Sequence, residues 1–264
     1  MKSKIISSVR LLGSGHENKK NNISLSKTIN ILLTGIIILL FASCKEEKEK
    51  PKVIYGNTAK VKTEVPAVDT TILEIADLPV EITGTNYLIH PIGDVRFDQK
   101  ARYGSSSGGG DVSYTISNYN EFEITGFLRN LKFQQVGSDS LTVLTDKPVL
   151  IQTATFLKSV ADKTKQQFLV YTLADMDTNK DDKLDASDIK SLYISTIGGE
   201  KFTKLSTDFE ELIDWKIIDS KNRLYFRTIE DTNKNGEFDK DDVLHYNYLD
   251  LLGKEWKVVN YRPI

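Results

Sequence analysis

The sequence predicts a mostly β protein made of repeated antiparallel sheet units, propeller-like or forming an incomplete propeller, with acidic loops set between strands. Three observations predict it. A gapless internal repeat places Asp177 on Asp231, an offset of 54 residues (231 − 177). The same offset carries Tyr171 onto Tyr225, Thr178 onto Thr232, Asn179 onto Asn233, Lys180 onto Lys234, Asp185 onto Asp239, Asp188 onto Asp242, Gly199 onto Gly253 and Phe202 onto Trp256. The stretches on either side of the acidic segments are rich in aromatic and β-branched residues, which favour a pleated, half-buried surface. A glycine-containing turn follows the second stretch in each copy, so each unit reads as strand, acidic loop, strand, turn, strand.

From the amino terminus, residues 1–43 read as a signal peptide. Lys19, Lys20 and Lys27 form a basic region, and Ile29 to Ala42 form an apolar run interrupted only by Asn30, Thr34 and Gly35. That run is shorter than the ~20 residues a membrane-spanning helix needs. Residues 1–24 make an unusual prefix, and translation is expected to begin near Leu25. The stretch Leu40-Phe41-Ala42-Ser43-Cys44 resembles the lipobox of bacterial lipoproteins. The resemblance implies that Cys44 is lipidated, becomes the first residue of the mature chain and holds it to a membrane. Residues 44–52 form a charged tether with nothing to bury. A lysine followed by acids just after the cysteine resembles the surface-export signal of Bacteroidetes lipoproteins, which implies an outer-membrane, surface-exposed location in the cell envelope.

The remainder, 53–264, is read as a β-rich domain. Residues 53–98 carry strands around turns, and Gly104 to Gly110 is a glycine- and serine-rich loop. Three units follow, at about 110–145, 150–206 and 210–262. The last two contain predicted strands over Gln167 to Leu173, Leu192 to Ile197, Lys201 to Leu205, Arg223 to Ile229, Val243 to Leu249 and Glu255 to Val259. The first unit is fainter: Leu131, Phe133, Val136, Gly137, Leu141 and Leu144 match Leu192, Ile194, Ile197, Gly198, Phe202 and Leu205 at one offset of 61 (192 − 131). Units of this length suggest propeller blades or a related repeating sheet. The segments Leu192 to Ser195 and Gly198 to Ser206 resemble blades of the β-propeller domain of the Tol translocation system. An open sheet repeat is the competing architecture.

The segments 177–188 and 231–242 resemble the EF-hand calcium loop. Calcium takes six to eight hard oxygen ligands, which a tight loop presents from positions 1, 3 and 5, from a carbonyl at 7 and from an acid at 12. The resemblance assigns Asp177, Asn179, Asp181, the Lys183 carbonyl and Asp188 to one Ca2+ site. It assigns Asp231, Asn233, Asn235, the Glu237 carbonyl and Asp242 to a second. Leu184 and Phe238 are the apolar anchors. Asp182 departs from the pattern where Gly236 fits it, at position 6, which needs a positive φ. Both loops end in Asp, as in dockerin-like variants, which reaches an ion less well than Glu. Weak to moderate affinity and a structural role, stiffening a hairpin, are expected. Plain surface turns are the bland alternative.

Composition narrows the function classes. A net charge of −2 over 264 residues offers no basic surface for nucleic acid. One cysteine and three histidines exclude a disulfide framework and a structural zinc cluster. No zinc-protease motif occurs, and His90 and His245 are expected to be packed or hydrogen-bonded. The expected function is that of a lipid-anchored, calcium-binding envelope module that binds or scaffolds a glycan or an envelope protein, and not an enzyme. The alternatives are an envelope structural or assembly protein and, further off, a polysaccharide-acting enzyme. Tyr114, Tyr119, Phe122, Trp215 and Tyr246 are the aromatic candidates for ligand contact, each with core burial as the competing role.

Overall fold

The computed structural model describes residues 51–56, 72–96, 114–253 and 255–264, all within one compact unit, Pro51–Ile264. The signal peptide, Cys44, the tether as far as Lys50 and the loop from Gly104 to Gly110 lie outside the described residues. Among the described residues no helix is long and apolar enough to cross a membrane.

The fold is mostly β and antiparallel. A ten-stranded sheet contains β1 (Ile72–Ala76), β2 (Val80–Glu81), β3 (Tyr87–Arg96), β4 (Ser117–Asn120), β5 (Glu123–Gln135), β6 (Leu141–Val143), β7 (Leu150–Phe156), β8 (Phe168–Ala174), β9 (Ser191–Thr196) and β10 (Thr203–Lys204). A four-stranded meander contains β11 (Glu210–Ile218), β12 (Arg223–Glu230), β13 (Val243–Asp250) and β14 (Val258–Asn260). A helix of about two turns, α1 (Lys158–Thr164), sits between β7 and β8 and buries Val160 and Ala161. Lys165, with φ 63°, ends it in a left-handed cap whose N–H returns to the Ala161 carbonyl.

The thirteen residues of β5 knit the larger sheet together. Their amino-terminal half pairs with β4 and β7, and their carboxy-terminal half with β3 and β6. The ladder against β7 shifts register between Thr125 and Leu128, which lets one strand serve four neighbours. Unit 110–145 is therefore welded to unit 150–206 in a single sheet, whereas unit 210–262 makes its own. Among the described residues the strands do not form a closed ring of separate blades.

The repeat itself reappears in the strands. β8, β9 and β10 stand to the first acidic loop as β12, β13 and β14 stand to the second. The fainter offset of 61 also holds in detail: Phe133 pairs with Thr142 as Ile194 pairs with Thr203. The 54-residue offset slips by one on the return strand, because Val170 faces Ile194 while Leu224 faces Leu249. A one-residue slip exchanges the two faces of a strand. Here it puts Leu249, the counterpart of Ser195, into the core.

β8 is apolar apart from Thr172 and the Tyr171 hydroxyl because both of its faces are covered. Leu169, Tyr171 and Leu173 join Ile89, Leu131, Phe133 and Ile151 in the first core. Phe168 and Val170 join Leu192, Ile194, Leu212, Leu224, Phe226 and Leu249 in a second, between the two sheets. The first acidic loop springs from this doubly covered β8, whereas the second joins β12 and β13, which bury one face.

Candidate functional site

Each acidic loop is a chain of Asx turns, in which a short Asp or Asn side chain accepts the amide two residues on. In the first loop Asn179 accepts from the Asp181 N–H at 3.0 Å, Asp181 from Lys183 at 3.0 Å and Asp185 from Ser187 at 2.8 Å. In the second, Asn233 accepts from Asn235 at 2.9 Å, Asn235 from Glu237 at 2.7 Å and Asp239 from Asp241 at 2.8 Å. The acid at position 1 closes each loop. Asp177 accepts from Asp181 and Asp182, and Asp231 from Asn235 and Gly236.

The backbone repeats as well. Positions 4 and 6 are left-handed in both copies: Lys180 at φ 56° and Asp182 at 63°, Lys234 at 57° and Gly236 at 83°. Asp182 thus adopts the conformation that its place in the pattern demands, as Asp tolerates better than most residues. The acid at position 12 staples the loop shut. Asp188, wholly buried, accepts from the Thr178 N–H at 2.7 Å and the Asp185 N–H at 3.0 Å. Asp242 does the same for Thr232 at 3.1 Å and Asp239 at 2.9 Å.

The predicted ligands are therefore brought together in part. Asp177, Asn179 and Asp181 converge on the amides of residues 181–183, as Asp231, Asn233 and Asn235 converge on those of 235–237. Lys183 and Glu237 enter the scheme through their amides. Asp188 and Asp242 give both oxygens to loop amides instead, and the carboxylates of Asp177, Asp181 and Asp188 do not lie within 4.8 Å of one another. The donor set is all oxygen, which suits a hard cation such as calcium. A carboxylate oxygen has a second lone pair to offer, and full coordination requires position 12 to exchange an amide for the ion.

A second cluster was not legible in the sequence. Glu210 and Glu230 are directly paired across β11 and β12, a repulsive arrangement for like charges. His245, on β13, lies 2.9 Å from Glu230 Oε2 and 3.8 Å from Glu210 Oε1, and the Thr228 hydroxyl donates to Glu210 Oε2. Their donor atoms all fall within 4.8 Å, the one such group of three among the described residues. The set of one imidazole and two carboxylates can act as an internal ion pair or hold a borderline divalent ion. Only the alternation around His245 was visible along the chain; its partners come from register.

Polar side chains also gather where β8 runs into the first loop. Burial pushes the Asp175 carboxyl up, but hydrogen bonds from Lys204 Nζ (2.7 Å), the Tyr193 hydroxyl (2.7 Å) and Ser191 Oγ (2.9 Å) outweigh it and hold the group below its ordinary value. Burial pushes the Tyr171 phenol up, opposed by its 2.7 Å hydrogen bond with Ser195.

Of the aromatic candidates, Tyr114 and Tyr119 are 58% and 41% exposed. Phe122 packs on the first core and Trp215 on the second, and the Tyr246 ring lies 6.1 Å from that of Tyr261. His90 makes a 3.1 Å hydrogen bond with Gln134. Comparison with known protein families, with curated proteins and with solved structures yields no match.

Proposed function

We propose that the protein is an exported, lipid-anchored module of the cell envelope, held through Cys44, in which two EF-hand-type loops take calcium and stiffen a β-rich scaffold for binding another envelope component. The observation that carries the reading is the duplication of loop geometry. Two segments 54 residues apart, on different sheets, share the same Asx turns, the same closure by positions 1 and 12 and the same left-handed residues at positions 4 and 6. Ordinary surface turns have no reason to agree at so many places. The sheet units are read as copies of one strand–loop–strand–turn–strand block, an incomplete relative of a propeller blade, supported by the common hairpin register of Phe133–Thr142 and Ile194–Thr203.

The test is a calorimetric titration of calcium into the chelator-treated protein, with thermal melts of Asp177→Ala and Asp231→Ala. Binding of about two ions, one lost in each variant, together with a melting temperature that rises with calcium, is the expected outcome by mass-action linkage. No heat and no shift at millimolar calcium would leave both loops as plain turns.

A further inference from the structure

The segment Pro51–Gly56, whose first two residues the sequence predicts to belong to the free tether, lies against both acidic loops. The Ile54 N–H donates to the Thr178 carbonyl of the first loop at 2.9 Å, and the Thr178 hydroxyl donates back to the Lys52 carbonyl at 2.9 Å. On the second loop, the Gly236 carbonyl accepts from Lys52 at 2.8 Å and Val53 at 3.3 Å. Val53 is only 2% exposed. Lys52 Nζ reaches Glu211 at 3.0 Å, and Lys180 Nζ donates to the Gly56 carbonyl.

The backbone anchors at Thr178 and Gly236 are each one hydrogen bond away from a predicted cation ligand. The Thr178 N–H is held by Asp188 and the Gly236 N–H by Asp231, so the position of either carboxylate sets the position of the group that grips the segment. The two loops also differ where the segment passes. A Cβ on Gly236 would stand 2.4 Å from the Val53 carbonyl oxygen and 2.7 Å from Pro51 Cβ. Asp182 shows that a side chain can occupy position 6 at a similar φ. The glycine of the second loop is therefore required by the close approach of the segment more than by its own backbone.

We propose that the two acidic loops form a cation-dependent clamp on Pro51–Gly56, so that divalent-cation binding fixes the point at which the tether joins the domain. The inference rests on the reading of the loops as calcium sites and names what that calcium controls.

The experiment is amide hydrogen exchange at Lys52, Val53 and Ile54 in the chain from residue 44 to 264, with calcium and with chelator, alongside calorimetry on the same sample. Calcium is expected to slow exchange of these amides within the ~5- to 150-fold range of ordinary site coupling. Linkage is reciprocal, so Val53→Ser, which loosens the segment without altering either loop, should weaken calcium binding by up to the same factor. Gly236→Asp, which copies the first loop, should still take calcium but leave Lys52 and Val53 exchanging at the chelator rate. Calcium binding with unchanged exchange at residues 52–54 would overturn the clamp and leave the calcium sites standing. Absence of calcium binding would overturn both.

Discussion

Replacing Thr178 by valine tests the packing of the first acidic loop against the segment Pro51–Gly56. Thr178 is 3% exposed, and its hydroxyl accepts from the Ile189 N–H at 3.1 Å while its single proton faces the Lys52 carbonyl at 2.9 Å and Asp188 Oδ1 at 3.2 Å. Valine keeps the shape and removes the oxygen. The Ile189 amide, in a residue only 2% exposed, is then left without its acceptor, at a cost of about 1–3 kcal/mol, while the half-exposed Lys52 carbonyl can turn to water. The sum is about 2 kcal/mol. Thr178→Ser keeps the oxygen and deletes one buried methyl, at about 0.8 kcal/mol. Urea denaturation followed by far-ultraviolet circular dichroism resolves the difference. With a slope near ~2 kcal/mol/M, the valine variant should lose about 1 M in midpoint and the serine variant about 0.4 M. A valine variant with the wild-type midpoint, or a serine variant falling as far as the valine one, would refute the hydrogen-bond argument.

Asp175→Asn should cost about 2–3 kcal/mol at neutral pH, because Lys204 and Tyr193 lose their charged acceptor. The folded-state pKa of Asp175 is depressed, so its contribution is present above the unfolded value, near ~3.9, and is lost as pH falls through the lower folded one. Denaturation curves below about pH 4 should therefore be flatter for the asparagine variant than for wild type. Tyr171 behaves in the opposite sense: its raised pKa gives stability that is full below about pH 10 and declines as pH rises further. Tyr171→Phe should cost only about 1 kcal/mol at pH 7, since Ser195 Oγ still donates to the Thr196 carbonyl, and melts above pH 10 should show it losing less than wild type. Gly199→Ala places a Cβ 2.5 Å from the Phe133 ring at φ 85°, and thermal denaturation should report a loss of about 2–4 kcal/mol.

The strands around the acidic loops and the loops themselves could be read along the chain because both are local. Runs of aromatic and β-branched residues place β8, β9, β12 and β13 to within a residue or so of their predicted bounds. An Asx turn joins residues two apart, so Asn179, Asp181, Asn233 and Asn235 dictate much of their own geometry. The helix Lys158–Thr164 was not foreseen: it is too short for a helical period to show, and the contacts of Val160 and Ala161 with the two cores hold it. Pairing across long separations was decided only by the tertiary structure. β5 gathers four partners and merges two repeat units into one sheet, and no property of Glu123–Gln135 alone announces that. The one-residue slip on β13 follows from which face of that strand has a core to bury against. Glu210, Glu230 and His245 meet through register, and Lys52 meets Thr178 across 126 residues of chain. The sequence by itself determined where strands and acidic turns form, because neighbours along the chain supply those forces. Which of them touch was decided by the burial of apolar faces in two shared cores, a property of the whole fold.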